Sequence, residues 1–285
     1  MTSVRALKHV ILMTRPHNCL IAAASVGVGA FLASGGVPSH SVAACLMAYL
    51  VCAGAYVLND RFDVATDRVT KPERALVVGA IGSGAALRLS VGLWTAAALP
   101  AILSGKPGTA FYLGWMVLLW LYSWRLKTQG IYGHFLVGLV ASSGFVLGAQ
   151  GAGDLKAGLL PAAIALVLHL AREIVKGVAD AGGDRAAGKR TLAVRIGGRK
   201  ALVVALWCLA GVAGLSLLPF ALKLYGVLYI LPVAVVIYPL VGICIRRMIL
   251  AIYGAGDMER TARSAAVMLK WVMPAGLLAF VLAGV

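Results

Sequence analysis

The chain alternates between long apolar runs and short polar breaks. A membrane-spanning helix needs about 20 mostly apolar residues. Nine runs reach or approach that length: 17–35, 40–60, 84–103, 109–124, 131–151, 157–177, 201–220, 224–246 and 264–284. The breaks carry turn-forming residues, as in Ser34-Gly35-Gly36-Val37-Pro38 and Ser104-Gly105-Lys106-Pro107-Gly108. The fourth run is short. The eighth holds Pro232 and Pro239, which predict kinks because proline lacks a backbone N–H. No long linker or low-complexity tract divides the chain, so the pattern predicts one integral all-α domain, 1–285, with nine transmembrane helices.

Composition removes the soluble alternatives: 61% of residues are hydrophobic and 13% charged. The formal net charge of +16 invites a nucleic-acid reading, but the distribution excludes it. Arg5, Lys8, Arg15, Arg61, Arg68, Lys71, Arg74, Arg88, Arg125, Lys127, the run from Lys176 to Lys200, Arg246, Arg247, Arg260 and Arg263 all fall on one side of the nine-span topology. Lys106, Lys156 and Lys223 fall on the other. The positive-inside rule then puts the N-terminus in the cytoplasm and the C-terminus outside, in a multi-pass protein of the cell membrane. The basic start Met1 to Arg15 has no convincing small-residue cleavage site after it, so no cleavable signal is expected. The five cysteines lie in apolar runs without ligand spacing and read as inert buried thiols.

Acidic residues are scarce, ten in all, and six fall in two short stretches at the ends of apolar runs. The first holds Asn59, Asp60, Asp63 and Asp67; the second holds Glu173, Asp180 and Asp184. Carboxylates beside a bilayer are costly, so this concentration points to function. Asn59, Asp63 and Asp67 are spaced i, i+4, i+8, which predicts one helix face, and Asp180 and Asp184 repeat the step. Oxygen ligands at this density suit Mg²⁺, and Mg²⁺ commonly accompanies a phosphorylated substrate. Arg68, Lys71, Arg74, Lys127, Arg172 and Lys176 lie near the motifs or on the same membrane face. They are candidates to neutralise a diphosphate, though each alone also reads as a topology signal. The two clusters lie four runs apart on one face, which suggests a four-helix pseudo-repeat with a ninth helix added.

Asn59-Asp60-x-x-Asp63-x-x-x-Asp67, followed by Arg68-x-x-Lys71-Pro72-x-Arg74, resembles the first signature of the UbiA-type intramembrane prenyltransferases. Arg172-Glu173-Ile174-Val175-Lys176, with Asp180-x-x-Gly183-Asp184, Gly188 and Thr191-Leu192-x-Val194, resembles the second. Tyr122-Ser123, Leu126-Lys127 and Gly133 resemble the segment between helices four and five. The resemblance implies nine helices around a central cavity open to lipid. It implies Mg²⁺-dependent transfer of a prenyl group from a prenyl diphosphate to an acceptor. Asn59, Asp63 and Asp67 would serve one metal, and Asp180 and Asp184 the other. Asp63, Asp67, Asp180, Asp184 and Lys127 would form the catalytic set. Arg68, Lys71 and Lys127 would steady the diphosphate, and Tyr122 would wall off the developing allylic cation. Three positions depart from the family: Gly177 in place of a common acid, His134 in place of a common Asn, and Ala75-Leu76-Val77-Val78 in place of a Pro-containing stretch.

Within the family, Arg15-Pro16-x-Asn18-Cys19 and Arg172-Glu173-Ile174-Val175-Lys176 leading to Gly183-Asp184-Arg185 resemble the archaeal digeranylgeranylglyceryl phosphate synthases. That resemblance implies geranylgeranylglyceryl phosphate as acceptor and a place in archaeal-type membrane lipid synthesis. Arg15, Asn18, Arg68, Lys71, Arg74, Tyr122, Arg172 and Lys176 are then the expected substrate-binding set. The alternative is an aromatic acceptor, as in the 4-hydroxybenzoate polyprenyltransferases of quinone synthesis. An ion-coupled transporter is the rival class. Its charges are expected near mid-membrane, whereas these acids fall at helix ends.

Overall fold

The structure, a computed structural model, describes residues 3–284; Met1, Thr2 and Val285 of the single-domain span, and the Arg5 side chain of the charge tally, lie outside what is described. The fold is helical, and the bridge Gln129–Arg190 is the one β-type pairing among the described residues. In chain order the helices are α1 (Ser3–Thr14), α2 (Pro16–Ser34), α3 (Ser39–Phe62), α4 (Val64–Thr70), α5 (Ser83–Leu103), α6 (Gly105–Trp124) and α7 (Ile131–Gly151). After them come α8 (Leu155–Ala179), α9 (Ala181–Ala186), α10 (Leu192–Ile196), α11 (Gly198–Ala221), α12 (Val227–Pro232), α13 (Tyr238–Ile252) and α14 (Met258–Ala283).

Eight segments are long and apolar enough to cross a membrane: α2, α3, α5, α7, α8, α11, the run Val227–Ile252, and α14. This is a multi-pass membrane bundle. The expected ninth span forms the 20-residue helix α6, which is rich in Trp and Tyr and lies outside that apolar set. It also begins earlier than the pattern predicts. Gly105 opens it at φ 75°, and Pro107 sits in the first turn, where a missing N–H costs nothing. The eighth run is interrupted between its prolines by a π-helical turn, Val233–Ile237, joining α12 to α13. Large side chains such as Leu99, Trp207, Val235 and Trp271 point outward, as a lipid-facing surface requires.

The apolar runs do not predict four short elements: α1, α4, α9 and α10. Two of them shape the site. α3 ends at Phe62, Asp63 forms a joint at φ −95°, ψ 3°, and α4 follows. α8 ends at Ala179, Asp180 forms a joint at φ −100°, ψ 5°, and α9 follows. The two halves thus share one device, a long helix bent at an aspartate. The predicted single helix face for Asn59, Asp63 and Asp67 is corrected to two helices meeting at Asp63. One backbone turn survives on each side, through Asp63 N–H to Asn59 O at 3.0 Å and Asp67 N–H to Asp63 O at 2.8 Å.

The bundle is tightened where α2 crosses α7. A Cβ on Gly29 would overlap the Phe145 carbonyl, and one on Gly148 would overlap the Val26 carbonyl. Both backbones are fixed by the bundle, so neither can step aside. We expect Gly148→Ala to cost about 1–3 kcal/mol through overpacking. Gly92→Ala, on an α5 face with no atom within 4 Å, should be neutral or slightly stabilising through helix propensity. Thermal unfolding of both variants in detergent checks the contrast; equal midpoints would remove the close-packing argument.

Candidate active site

The helices enclose a cavity of about 500 Å³. One wall is apolar, built by Ile21, Ala22, Ala48, Val51, Leu119 and Val140 from α2, α3, α6 and α7. The other end is ionic. Eight Lys and Arg side chains and six Asp and Glu side chains line it. Thirteen of the fourteen residues expected at the site line this cavity. Arg68 is the exception, exposed on α4 and pointing away from the lining set.

The acidic motifs face each other and are paired reciprocally. Lys71, in the loop after the first motif, reaches Asp180 of the second at 3.3 Å and lies 3.9 Å from Asp67. Lys189, in the loop after the second motif, reaches Asp63 of the first at 2.7 Å and lies 3.6 Å from Asp184. Each joint aspartate therefore takes a lysine from the opposite half. Lys127 adds a contact to Asp63 at 2.9 Å, and Asn59 donates to Asp63 at 2.7 Å. The backbone geometry beneath this pairing depends on α4 packing against α9, where a Cβ on Gly183 would collide with the Thr70 methyl.

Two further ionic groups stand beside this set. Asp60 is buried and receives Arg15 at 2.5 Å and Arg74 through both its oxygens at 2.6 Å. Arg15 also lies over the Tyr56 ring at 4.5 Å, and Asn18 donates to the Tyr56 hydroxyl at 3.0 Å. Glu173 is held by Arg172 at 3.1 Å and by Lys176 at 3.0 Å. It is an anchor for two cations and belongs to neither joint. Arg15 itself occupies the left-handed backbone region, φ 50°, ψ 63°, just before Pro16 opens α2.

Several buried polar atoms along the cavity have no hydrogen-bond partner among the described residues: Thr66 Oγ1, Thr191 Oγ1, His134 Nε2 and Arg172 Nε. Native interiors rarely leave such atoms unpaired, so this clustering marks a space shaped for a polar ligand. The donor set also fits Mg²⁺. Among the described residues no three Asp, Glu, His or Cys groups converge as a ready-made cage. Mg²⁺ usually takes one or two carboxylates and completes its shell with phosphate oxygens and water. Pairs of hard carboxylates in a cavity edged by lysines match that habit.

The departures at Gly177 and His134 have one explanation. A Cβ at Gly177 would lie 3.4 Å from the His134 ring, so the imidazole fills the place a side chain at 177 would need. After Arg74 the chain tucks Ala75 against Met13, Val57 and Ala86, which accommodates the altered loop. Trp120 and Trp124 stack on each other and are exposed, away from the cavity, whereas Trp115 lines it. Gly79, Gly82 and Gly84 line no part of the cavity. Sequence reading missed Asp60, Lys189, His17 and Lys270 as cavity residues. Asp60 sits inside the first motif, and Lys270 is a lone charge in the last apolar run, so both carried a visible signal. Lys189 is hidden in a basic run that reads as topology.

Charge sets the acids apart. Burial pushes the Asp63 carboxyl up, but Lys127 and Lys189 outweigh it and hold the group at about 2. Burial raises Asp67 and is not fully offset by Arg74 and Lys71. Burial likewise raises Asp184 against the pull of Lys189, with Asp180 and Asp63 adding to the rise. Asp63 thus contributes stability above the ordinary carboxylate range, lost as pH falls towards 2. Asp67 costs stability at neutral pH, and that cost eases as pH falls through its raised value. We expect Asp63→Asn to destabilise metal-free protein at pH 7 by about 2 kcal/mol and so to lower its unfolding midpoint. Asp67→Asn should raise it. Thermal melts with chelator present measure both, and shifts of the same sign would contradict this electrostatic picture.

Residues 21–255 match the UbiA prenyltransferase family. The chain is 38% identical to digeranylgeranylglyceryl phosphate synthase of Halobacterium salinarum over 225 residues, covering 78% of this chain and 81% of that one. It is 34% identical to the same-named protein of Hyperthermus butylicus, with 97% of each chain covered. A solved structure concerned with digeranylgeranylglyceryl phosphate synthase in membranes is 26% identical, with TM-score 0.72 over 98% of this chain and 99% of that one. A UbiA homolog from Archaeoglobus fulgidus bound to DMAPP and Mg²⁺ shares the fold, at 18% identity and TM-score 0.66, over 95% and 98% of the two chains.

Proposed function

The chain belongs to the UbiA prenyltransferase family, and from that premise we propose that it moves a geranylgeranyl group from geranylgeranyl diphosphate to geranylgeranylglyceryl phosphate. The reaction would serve archaeal-type membrane lipid synthesis. Reciprocal pairing of Lys71 with Asp180 and Lys189 with Asp63, at the ionic end of an otherwise apolar cavity, is the observation that carries the chemistry. The names of the relatives at 34–38% identity support the acceptor. Family membership sets the transporter reading aside.

Asp63, Asp67, Asp180 and Asp184, with Asn59, are the residues that would hold Mg²⁺. When bound, Mg²⁺ supplies Lewis-acid charge to the departing diphosphate. Lys71, Lys127 and Lys189 now neutralise carboxylates and are placed to exchange that role for diphosphate oxygens. Donor carbon 1 parts from the diphosphate oxygen, which keeps the electron pair. The acceptor hydroxyl oxygen bonds to that carbon and gives up its proton, for which the unpartnered His134 Nε2 is an open acceptor. Tyr122 and the apolar wall keep water from the developing allylic cation. Arg68, exposed outside the cavity, has no part in this reading. Arg15, Arg172 and Asn18 are the acceptor side of the site, and the ionic end faces the cytoplasm.

Removing a carboxylate at either joint, by Asp63→Ala or Asp180→Ala, should abolish product, and chelation should do the same reversibly with Mg²⁺ added back. Geranylgeranylglyceryl phosphate should be prenylated far better than 4-hydroxybenzoate with geranylgeranyl diphosphate as donor. Efficient use of 4-hydroxybenzoate with the glyceryl phosphate ignored would replace this acceptor by the aromatic one. Orientation has its own test. Cysteines introduced near Lys106 and Lys156 should react with an impermeant reagent from outside, and those near Arg68 and Arg185 should not. The reverse pattern would invert the protein in the membrane.

A further inference from the structure

Lys270 stands 12 residues into α14, a helix long and apolar enough to cross a membrane, and its side chain lines the cavity. By helical rise that is about 18 Å from the start of the helix. Among the described residues no carboxylate lies within salt-bridge distance of it; its polar contact is the His17 ring of α2. The ionised neighbours that act on it are Arg172 and Arg15, both of like charge. Lys270, Arg15 and Arg172 all act on His17 as well. Arg15 is already spent on Asp60 and Arg172 partly on Glu173, yet Arg172 keeps a buried, unpartnered Nε.

An unpaired ammonium within a membrane-spanning segment, grouped with two guanidiniums, is expensive unless an anion completes it. The motif carboxylates cannot do so, because Asp63, Asp67, Asp180 and Asp184 are engaged by Lys71, Lys127 and Lys189. A donor diphosphate held at the motifs would draw on those same lysines. Lys270, His17 and Arg172 therefore form a second basic centre, joining α2, α8 and α14 along the wall of the same cavity.

We propose that Lys270 and His17, with the free Nε of Arg172, form a phosphomonoester subsite that grips the headgroup phosphate of the lipid acceptor. The assignment rests on the acceptor reading above and adds the residues that read the phosphate. Lys270 is here a specificity-determining residue with no share in bond breaking. Its cationic point charge and the His17 ring would hold the phosphate from α14 and α2, while the acceptor chain lies along the apolar wall.

The test pairs a protein change with a ligand change, using the full chain in detergent. Binding of geranylgeranylglyceryl phosphate and of geranylgeranylglycerol, which lacks the phosphate, is measured without donor for wild type, Lys270→Met and Lys270→Arg. Wild type should prefer the phosphate form, and Lys270→Met should lose about tenfold or more of that preference while binding the alcohol unchanged. Lys270→Arg should keep most of it. In turnover, Lys270→Met should raise the acceptor KM by a similar factor and leave the donor KM within about twofold. Removing a partly exposed cation that makes no salt bridge should not weaken the ligand-free fold, so the melting midpoint of Lys270→Met serves as the folding control. A phosphate preference that survives Lys270→Met, or is absent from wild type, overturns the subsite. Failure of the acceptor reading looks different: wild type would bind the phosphate form through Lys270 yet make no prenylated product from it.

Discussion

Two lysines reaching across a pseudo-symmetric boundary hold this site together. Each half of the bundle ends a long helix at an aspartate and turns into a short one, and each aspartate is neutralised by the loop of the other half. Without that exchange, Asp180 would lose its salt bridge and Asp63 would keep only Lys127. The exchange joins the two halves over the α4–α9 packing and, together with Lys127, lowers the Asp63 pKa. The two halves, with little residue identity between them, thus share joint geometry and pairing.

The same arrangement makes the ligand-free site a loaded one. On the proposed reading, metal and diphosphate would not enter an empty acidic bowl. They would displace ammonium groups from carboxylates and give those ammonium groups new oxygens to hold. Ligand binding would then be close to an exchange of counter-ions, which avoids exposing bare charge in a medium of low polarity. Acids differ in how well they are compensated beforehand. Asp63 is fully satisfied and Asp67 is not, so the cost of keeping a functional carboxylate is borne unevenly around the cavity.

Much of this was legible in the order of residues because it depends on local pattern. Apolar run length placed most long helices within a few residues, but the charged ends of α13 and α14 each run six residues past the apolar run; the clustering of scarce acids placed the ionic end. What stayed hidden depends on contacts between distant segments. Nothing near Lys189 distinguishes it from the basic residues around it; only the approach of α9 to α4 gives it Asp63. The i, i+4, i+8 spacing of Asn59, Asp63 and Asp67 is faithful to a helix, and no residue nearby announces the break at Asp63. Arg68 looked equivalent to Lys71 three residues on, but Arg68 is exposed on α4, whereas Lys71 follows the end of α4 in extended backbone and reaches Asp67 and Asp180. α6 shows the reverse case, a helix whose aromatic content lowers its apolar score while its packing against α3, α5 and α7 holds it in the bundle.

Arg15 carries a further consequence. It holds a backbone shape that glycine adopts freely and that costs an L-residue about 1–2 kcal/mol. Its side chain is the reason for bearing that cost, since it spans the gap between α2, the Tyr56 ring and Asp60. Position 15 is therefore a place where drift towards a sturdier fold and retention of chemistry pull in opposite directions. A descendant that had lost the reaction would be free to relax there first, so glycine at this position in an otherwise intact bundle would be a mark of a protein turned to other work.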